Sequence, residues 1–225
     1  MPDIDLSLYL VTDRSMMKRK MAEVVSQAVE GGVTAVQLRE KDVTFREFLH
    51  LAIELKSVLD PLNVPLLIND RVDVALAARA DGVHLGMNDM PPDLARKFLG
   101  PDSIIGLSVE KDEDIAYANR HDIDYVGVSP VFNTATKTDT INEWGLDGIQ
   151  RVAEGCKHKV VGIGSLNKTN AGEAIRYGAD GVAVVSAICA AEDPGNEARQ
   201  LRRIIDEAKI MGDDKWGCDF ALFDT

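Results

Sequence analysis

EGGVTAVQL (30–38) carries a pattern that returns three more times, as RADGVHLG (79–86), HDIDYVGV (121–128) and YGADGVAVV (177–185). In each, a helix-like stretch ends at or near Gly or Asp, a turn of two or three residues follows, and a short apolar run begins. Runs this short, rich in Val, Leu and Ile, suit buried strands better than helices. Four related turns of this kind are an internal repeat of βα units, each a few tens of residues long.

Working outward, eight strand candidates recur at near-regular intervals: LSLYLVT (6–12), VTAVQLR (33–39), PLLIN (65–69), GVHLG (82–86), SIIGLSV (103–109), YVGVS (125–129), KVVGIG (159–164) and GVAVVS (181–186). Between them lie stretches such as MKRKMAEVVSQAVEGG and TFREFLHLAIELKSVL, whose apolar residues return every three or four positions. Thr44, with Glu47 three positions on, predicts a helix N-cap with capping-box character. Alternating strands and helices imply parallel strands joined by right-handed crossovers. Eight units predict an α/β chain closed as a single-domain (β/α)8 TIM barrel over residues 1–210, with 211–225 a C-terminal tail of unassigned role. A doubly wound open sheet is the alternative. It would normally show GxGxxG after the first strand, and LYLVTDRSMMKRK has no such motif.

Composition narrows the partners. Of 225 residues, 25 are Lys or Arg and 37 are Asp or Glu, a formal charge of −12 that repels polyanions. Nucleic acid and anionic membrane are therefore not expected as partners; small-molecule substrates are, with a homo-oligomer left open. Cys156, Cys189 and Cys218 have no CxxC spacing and an odd count. They predict reduced thiols in a cytoplasmic protein rather than a disulfide framework or zinc site. MPDIDLSLYLVTD is acidic with a brief apolar run, unlike a signal peptide or membrane anchor.

Local cations complicate that acidic picture. In AVQLREKD (35–42) the period of a strand puts Gln37, Arg39 and Lys41 on one face, opposite Val36. Either the strand end frays into solvent or an anion sits there. Catalytic groups of a barrel come from the C-terminal ends of its strands. Those positions supply Asn69 and Asp70 after strand three, Asp89 after strand four, Ser108 on strand five, and Thr134, Thr136 and Lys137 after strand six. Taken singly, Asp70 and Asp89 are candidate helix N-caps, Lys137 a solvated loop lysine, and His84 a hydrogen-bonded core histidine. At one mouth, two carboxylates, three cations and several hydroxyls describe a hard-cation site beside a polyphosphate. Gly164, Ser165, Val185 and Ser186 fall at the barrel's usual phosphate-binding corner. No Ser/His/Asp or Cys/His arrangement is present. The expected chemistry is transfer of a carbon group off a phosphorylated leaving group.

QLREK (37–41), IND (68–70), HLGMND (84–89), the Ser108 strand, TATK (134–137), and GIG (162–164) followed by GADGVAVVSAI (178–188) occur together and in order. In that combination the chain resembles the thiamine-phosphate synthase family, from about residue 8 to residue 205 and across all eight strands. The resemblance implies that the enzyme joins hydroxymethylpyrimidine diphosphate to a thiazole phosphate, giving thiamine monophosphate and pyrophosphate. It implies that Gln37, Leu38, Arg39, Glu40, Lys41 and Asn69 hold the pyrimidine diphosphate, with Ser108 at the pyrimidine and Lys137 at the diphosphate. Asp70 and Asp89 would bind Mg2+. Thr134, Ala135, Thr136, Ser165, Val185 and Ser186 would hold the thiazole phosphate. Arg39, Lys41 and Lys137 would stabilise the leaving group. Two departures stand out: Gly164-Ser165 replaces the family's usual glycine pair, and Asn133 stands where a proline often precedes TxTK. A thiazole tautomerase of the same fold, or a non-catalytic barrel that binds a phosphate ligand, are the alternative readings.

Overall fold

Each repeated turn closes with the same pair of hydrogen bonds. In the computed structural model, which describes residues 4–133 and 143–216, Asp81 N donates to Leu66 O while its Oδ2 accepts from Leu66 N at 2.8 Å. Asp124 does the same to Ile105 (2.7 Å) and Asp180 to Val160 (2.7 Å). Thr34, with a hydroxyl in place of the carboxylate, holds Leu8 at 3.2 Å. A side chain just before one strand therefore satisfies an N–H of the first or second residue of the strand before it.

These clamps tie β1 (Leu8–Val11) to β2 (Ala35–Leu38), β3 (Leu66–Asn69) to β4 (Gly82–Leu85), β5 (Ile104–Val109) to β6 (Tyr125–Val128) and β7 (Lys159–Ile163) to β8 (Gly181–Val184). All neighbours pair in parallel, and β1 pairs with β8 through Leu8↔Val182 and Leu10↔Val184. The barrel is closed, as the eight-unit repeat predicts, and the open-sheet alternative is set aside.

Side-chain alternation builds two cores. Leu8, Leu10, Val36, Leu38, Ile68 and Val83 face outward into the layer shared with the helices. Tyr9, Val11, Ala35, Leu67, Tyr125, Val161 and Ala183 form a separate interior cluster. Space for the Tyr125 ring depends on Gly106 opposite it, because a Cβ there would lie 2.1 Å from Tyr125 Cζ.

The helices are α1 (Met21–Glu30), α2 (Phe45–Leu59), α3 (Val72–Ala78), α4 (Pro92–Leu99), α5 (Asp112–Ala118), α6 (Gly145–Gly155), α7 (Ala171–Arg176), α8 (Ser186–Cys189) and α9 (Pro194–Trp216). α2 shows why they form: Thr44 Oγ1 accepts from Glu47 N at 3.2 Å, and Phe48, Ala52, Leu55 and Leu59 bury one stripe. The four-residue α8 is an extra turn directly after β8, and α9 closes the ring by packing on α1 and α7. α9 continues past residue 210, and the rest of the expected tail, 217–225, lies outside the described residues. Among the described residues, no helix is long and apolar enough to cross a membrane.

Candidate active site

A cavity of about 520 Å³ opens at the C-terminal ends of the strands. β2 reaches it through Gln37, Arg39 and Lys41, all three on the cavity side. Thr12, at the end of β1, fixes their direction: its N–H donates to Gln37 O at 2.9 Å and its hydroxyl accepts from Arg39 N at 3.1 Å. Neither Arg39 nor Lys41 forms an ion pair among the described residues. The intervening side chains point the other way. Leu38 is buried in the outer core, and Glu40 Oε2 pairs with Arg14 Nη2 at 3.2 Å. Period-two alternation thus divides QLREK, and any hold that Leu38 or Glu40 has on a ligand in this cavity is through backbone.

Asp70 follows β3 with φ of 61°, a left-handed conformation that costs a residue with a Cβ. Asp89 belongs to the loop after β4, where its Oδ2 accepts from Gly86 N at 2.7 Å. The two carboxyls meet over the cavity. Burial, then the hydrogen bond and repulsion from Asp89, push the Asp70 carboxyl up to about 6, against the pull of Arg39 and a hydrogen bond from Asn69. Two abutting carboxyls fit a bound divalent cation, which would relieve their repulsion. No cluster of three or more His, Cys, Asp or Glu exists among the described residues, and a cation held by this pair would have positions open to water or substrate oxygens. That sparse, oxygen-only donor set suits Mg2+, which keeps waters and binds through one or two carboxylates plus phosphate.

Across the mouth, Ser165, Val185 and Ser186 line the same cavity. Ser165 has φ of 50°, and its hydroxyl donates to Asn133 O. The two departures noted in the sequence therefore touch each other. A serine where glycine would be less strained gains a bond to the loop after β6. Gly164 before it cannot carry a side chain: its φ is 116° and a Cβ would lie 2.8 Å from Pro130 Cβ. Thr134, Ala135, Thr136 and Lys137 lie outside the described residues.

Separate loops thus bring two cations without an ion pair among the described residues, a carboxyl pair and a small-residue corner to one barrel mouth. The family model described as "Thiamine monophosphate synthase" matches residues 8–188, nearly the whole barrel. The chain belongs to this family. It is 52% identical over 202 residues to the thiamine-phosphate synthase of Albidiferax ferrireducens, covering 89% of this chain and 92% of that one. The thiamine-phosphate synthase of Vibrio parahaemolyticus is 47% identical over 199 residues, covering 88% of this chain and 98% of that one. Among solved structures, the thiamine phosphate pyrophosphorylase from Pyrococcus furiosus superposes with a TM-score of 0.83 at 40% identity, covering 91% of this chain and 97% of that one.

Under this mouth the family member carries a polar chain that strand periodicity alone does not reveal. Gln37 Nε2 donates to Tyr9 Oη at 2.8 Å, Tyr9 Oη meets Tyr125 Oη at 2.8 Å, Tyr125 Oη meets His84 Nδ1 at 2.9 Å, and His84 Nε2 meets Ser108 Oγ at 3.0 Å. Gln37, Asn69 and Ser108 are nearly buried, at 4%, 9% and 8% exposure, and form the cavity floor. In the sequence, nothing marks Tyr9 or Tyr125 as part of a site. The available signal was Gly106 and Gly127, two small residues facing inward on adjacent strands and leaving room for rings.

Proposed function

We propose that this cavity joins an aminopyrimidinylmethyl diphosphate to a thiazole phosphate, with Mg2+ held by Asp70 and Asp89, and that the enzyme works in the cytoplasm. The activity, thiamine-phosphate synthesis, is the transferase reaction of the family to which the chain belongs. The observation that carries the detailed reading is the pair Arg39 and Lys41, unpaired among the described residues, beside the Asp70–Asp89 carboxyls.

The bond between the pyrimidine methylene carbon and the diphosphate oxygen breaks, and its electron pair leaves with pyrophosphate. The electron-rich aminopyrimidine spreads the positive charge left on carbon. The thiazole nitrogen then closes the new C–N bond with its lone pair and has no proton to lose. A bound Mg2+ would neutralise part of the charge growing on the diphosphate. Arg39 and Lys41, anchored at the end of β2, supply fixed positive charge to the same oxygens, and Lys137 is assigned the same role. Ser165, Val185 and Ser186 orient the thiazole through its phosphate, so that nitrogen and carbon approach in line. Gln37, Asn69 and Ser108 hold the pyrimidine above the floor. No step calls for a general base, and both ring nitrogens of His84 are already hydrogen-bonded.

The test is incubation of both substrates with Mg2+. Thiamine phosphate and pyrophosphate should appear in equal amounts. Isomerisation of the thiazole alone would instead support the tautomerase reading, and binding without turnover a non-catalytic barrel that binds a phosphate ligand.

A further inference from the structure

Tyr9 and Tyr125 are 1% and 0% exposed, and their hydroxyls meet at 2.8 Å beneath the cavity. Burial pushes both well above the ordinary phenol value, and each keeps its proton. A buried O–H must be donated to a neighbour. Tyr9 Oη has two partners, the Gln37 amide nitrogen and Tyr125 Oη. An amide nitrogen only donates, so Tyr9 must give its proton to Tyr125. Tyr125 Oη, having accepted there, gives its own proton to its other partner, His84 Nδ1. That nitrogen must then be bare. A neutral His84 carries its proton on Nε2 and donates it to Ser108 Oγ. With one lone pair of Ser108 Oγ taken, its O–H turns toward the cavity.

We propose that Gln37, Tyr9, Tyr125 and His84 act as one directional relay of positioning residues, which fixes Ser108 as a hydrogen-bond donor to the substrate ring. Gln37 starts the relay with its Nε2, leaving its Oε1 as the acceptor at the other end. Resting on the reading above, the ring over Ser108 offers an acceptor, an unprotonated ring nitrogen, at that contact. The opposite polarity would present Ser108 as an acceptor and favour a ring N–H or amino group there. Selectivity between amino and oxo forms of a pyrimidine would follow from this arrangement. The side chains that set it lie on β1, β2, β4 and β6, three of them with no expected contact to the reacting atoms.

The first test needs neither substrate nor turnover. Long-range proton–nitrogen correlation spectra of the nitrogen-labelled, ligand-free protein report which ring nitrogen of each of the four histidines is protonated. The His84→Gln variant identifies the His84 signals. A neutral His84 with its proton on Nε2 is expected. A proton on Nδ1, on both nitrogens, or exchanging between them overturns the relay. A second arm uses Tyr125→Phe, which keeps the ring and removes the donor. Proton occupancy at Nδ1 should then appear, and KM for the pyrimidine diphosphate should rise about tenfold, with kcat little changed. Ser108→Ala should raise KM by a similar factor, and adding Tyr125→Phe to it should add little; a multiplied loss overturns the proposal. If the unmodified protein forms no thiamine phosphate, the functional reading fails while the tautomer result still decides the relay.

Discussion

Asp70 combines a left-handed backbone, a neighbouring carboxyl and a carboxyl value raised to about 6. Asparagine tolerates that backbone and removes the charge, so Asp70→Asn separates strain from electrostatics. The folded value lies above the ordinary 3.8, so the folded protein holds the extra proton between those limits. Metal-free protein should therefore lose stability as pH rises from 3.8 to about 6, with the full penalty present above that. Melting curves should show Mg2+ recovering this loss at neutral pH. Asp70→Asn should melt higher than the unmodified protein without metal, gain little from Mg2+, and turn over slowly. Equal Mg2+ stabilisation in both proteins would remove Asp70 from the metal site. Lys41 poses a different question, since it sits at the rim with no partner among the described residues. If it meets charge that grows in the transition state, Lys41→Ala should lower kcat by about 10²–10³-fold. A rise in KM alone would mean that it binds the ground state and transition state equally.

At the scale of elements, the clamps at the start of the strands and the site at their ends divide stability from chemistry. Asp124 Oδ2 accepts from both Ile105 N (2.7 Å) and Arg96 Nη2 (2.9 Å), and its side chain is 4% exposed. Asp124→Ala leaves the buried Ile105 N–H without its acceptor and removes one of two carboxylates from Arg96, whose Nε keeps Asp122 Oδ2 at 3.3 Å, a loss of about 2 kcal/mol. Thr34→Ala removes the equivalent hydroxyl clamp and should cost about 1 kcal/mol. Both variants should keep kcat per folded molecule, measured by denaturant titration beside turnover. A fall in kcat out of proportion to folded fraction would mean that strand-start clamps also shape the mouth. α8, by contrast, contributes little core beyond Ile188 and Cys189, and its position after β8 is what brings Ser186 to the cavity.

For the whole molecule, the repeat of turns and strands made the closed barrel legible, because Thr34, Asp81, Asp124 and Asp180 occupy equivalent places in it. Period two also placed Gln37, Arg39 and Lys41 correctly on the cavity side. The same rule, followed further, turns Glu40 to Arg14 and Leu38 to the outer core, which a motif taken as a block conceals. Tyr9 was illegible as a site residue for a physical reason. Its hydroxyl partner Gln37 is 28 positions away on the adjacent β2, and Tyr125 is 116 positions away on β6, which barrel closure brings across the interior. Likewise, nothing in the spacing of Ser165 and Asn133 announces their hydrogen bond. The central claim is that this one mouth ionises a pyrimidine diphosphate and delivers its carbon to a thiazole nitrogen. The direct measurement is pyrophosphate release in single turnovers with and without thiazole phosphate, at saturating Mg2+, in the unmodified protein and Asp70→Asn. The account predicts one pyrophosphate per thiamine phosphate in the unmodified protein and a much slower release of both in the variant. Thiamine phosphate formed at the same rate by the variant, or pyrophosphate never released, would contradict it.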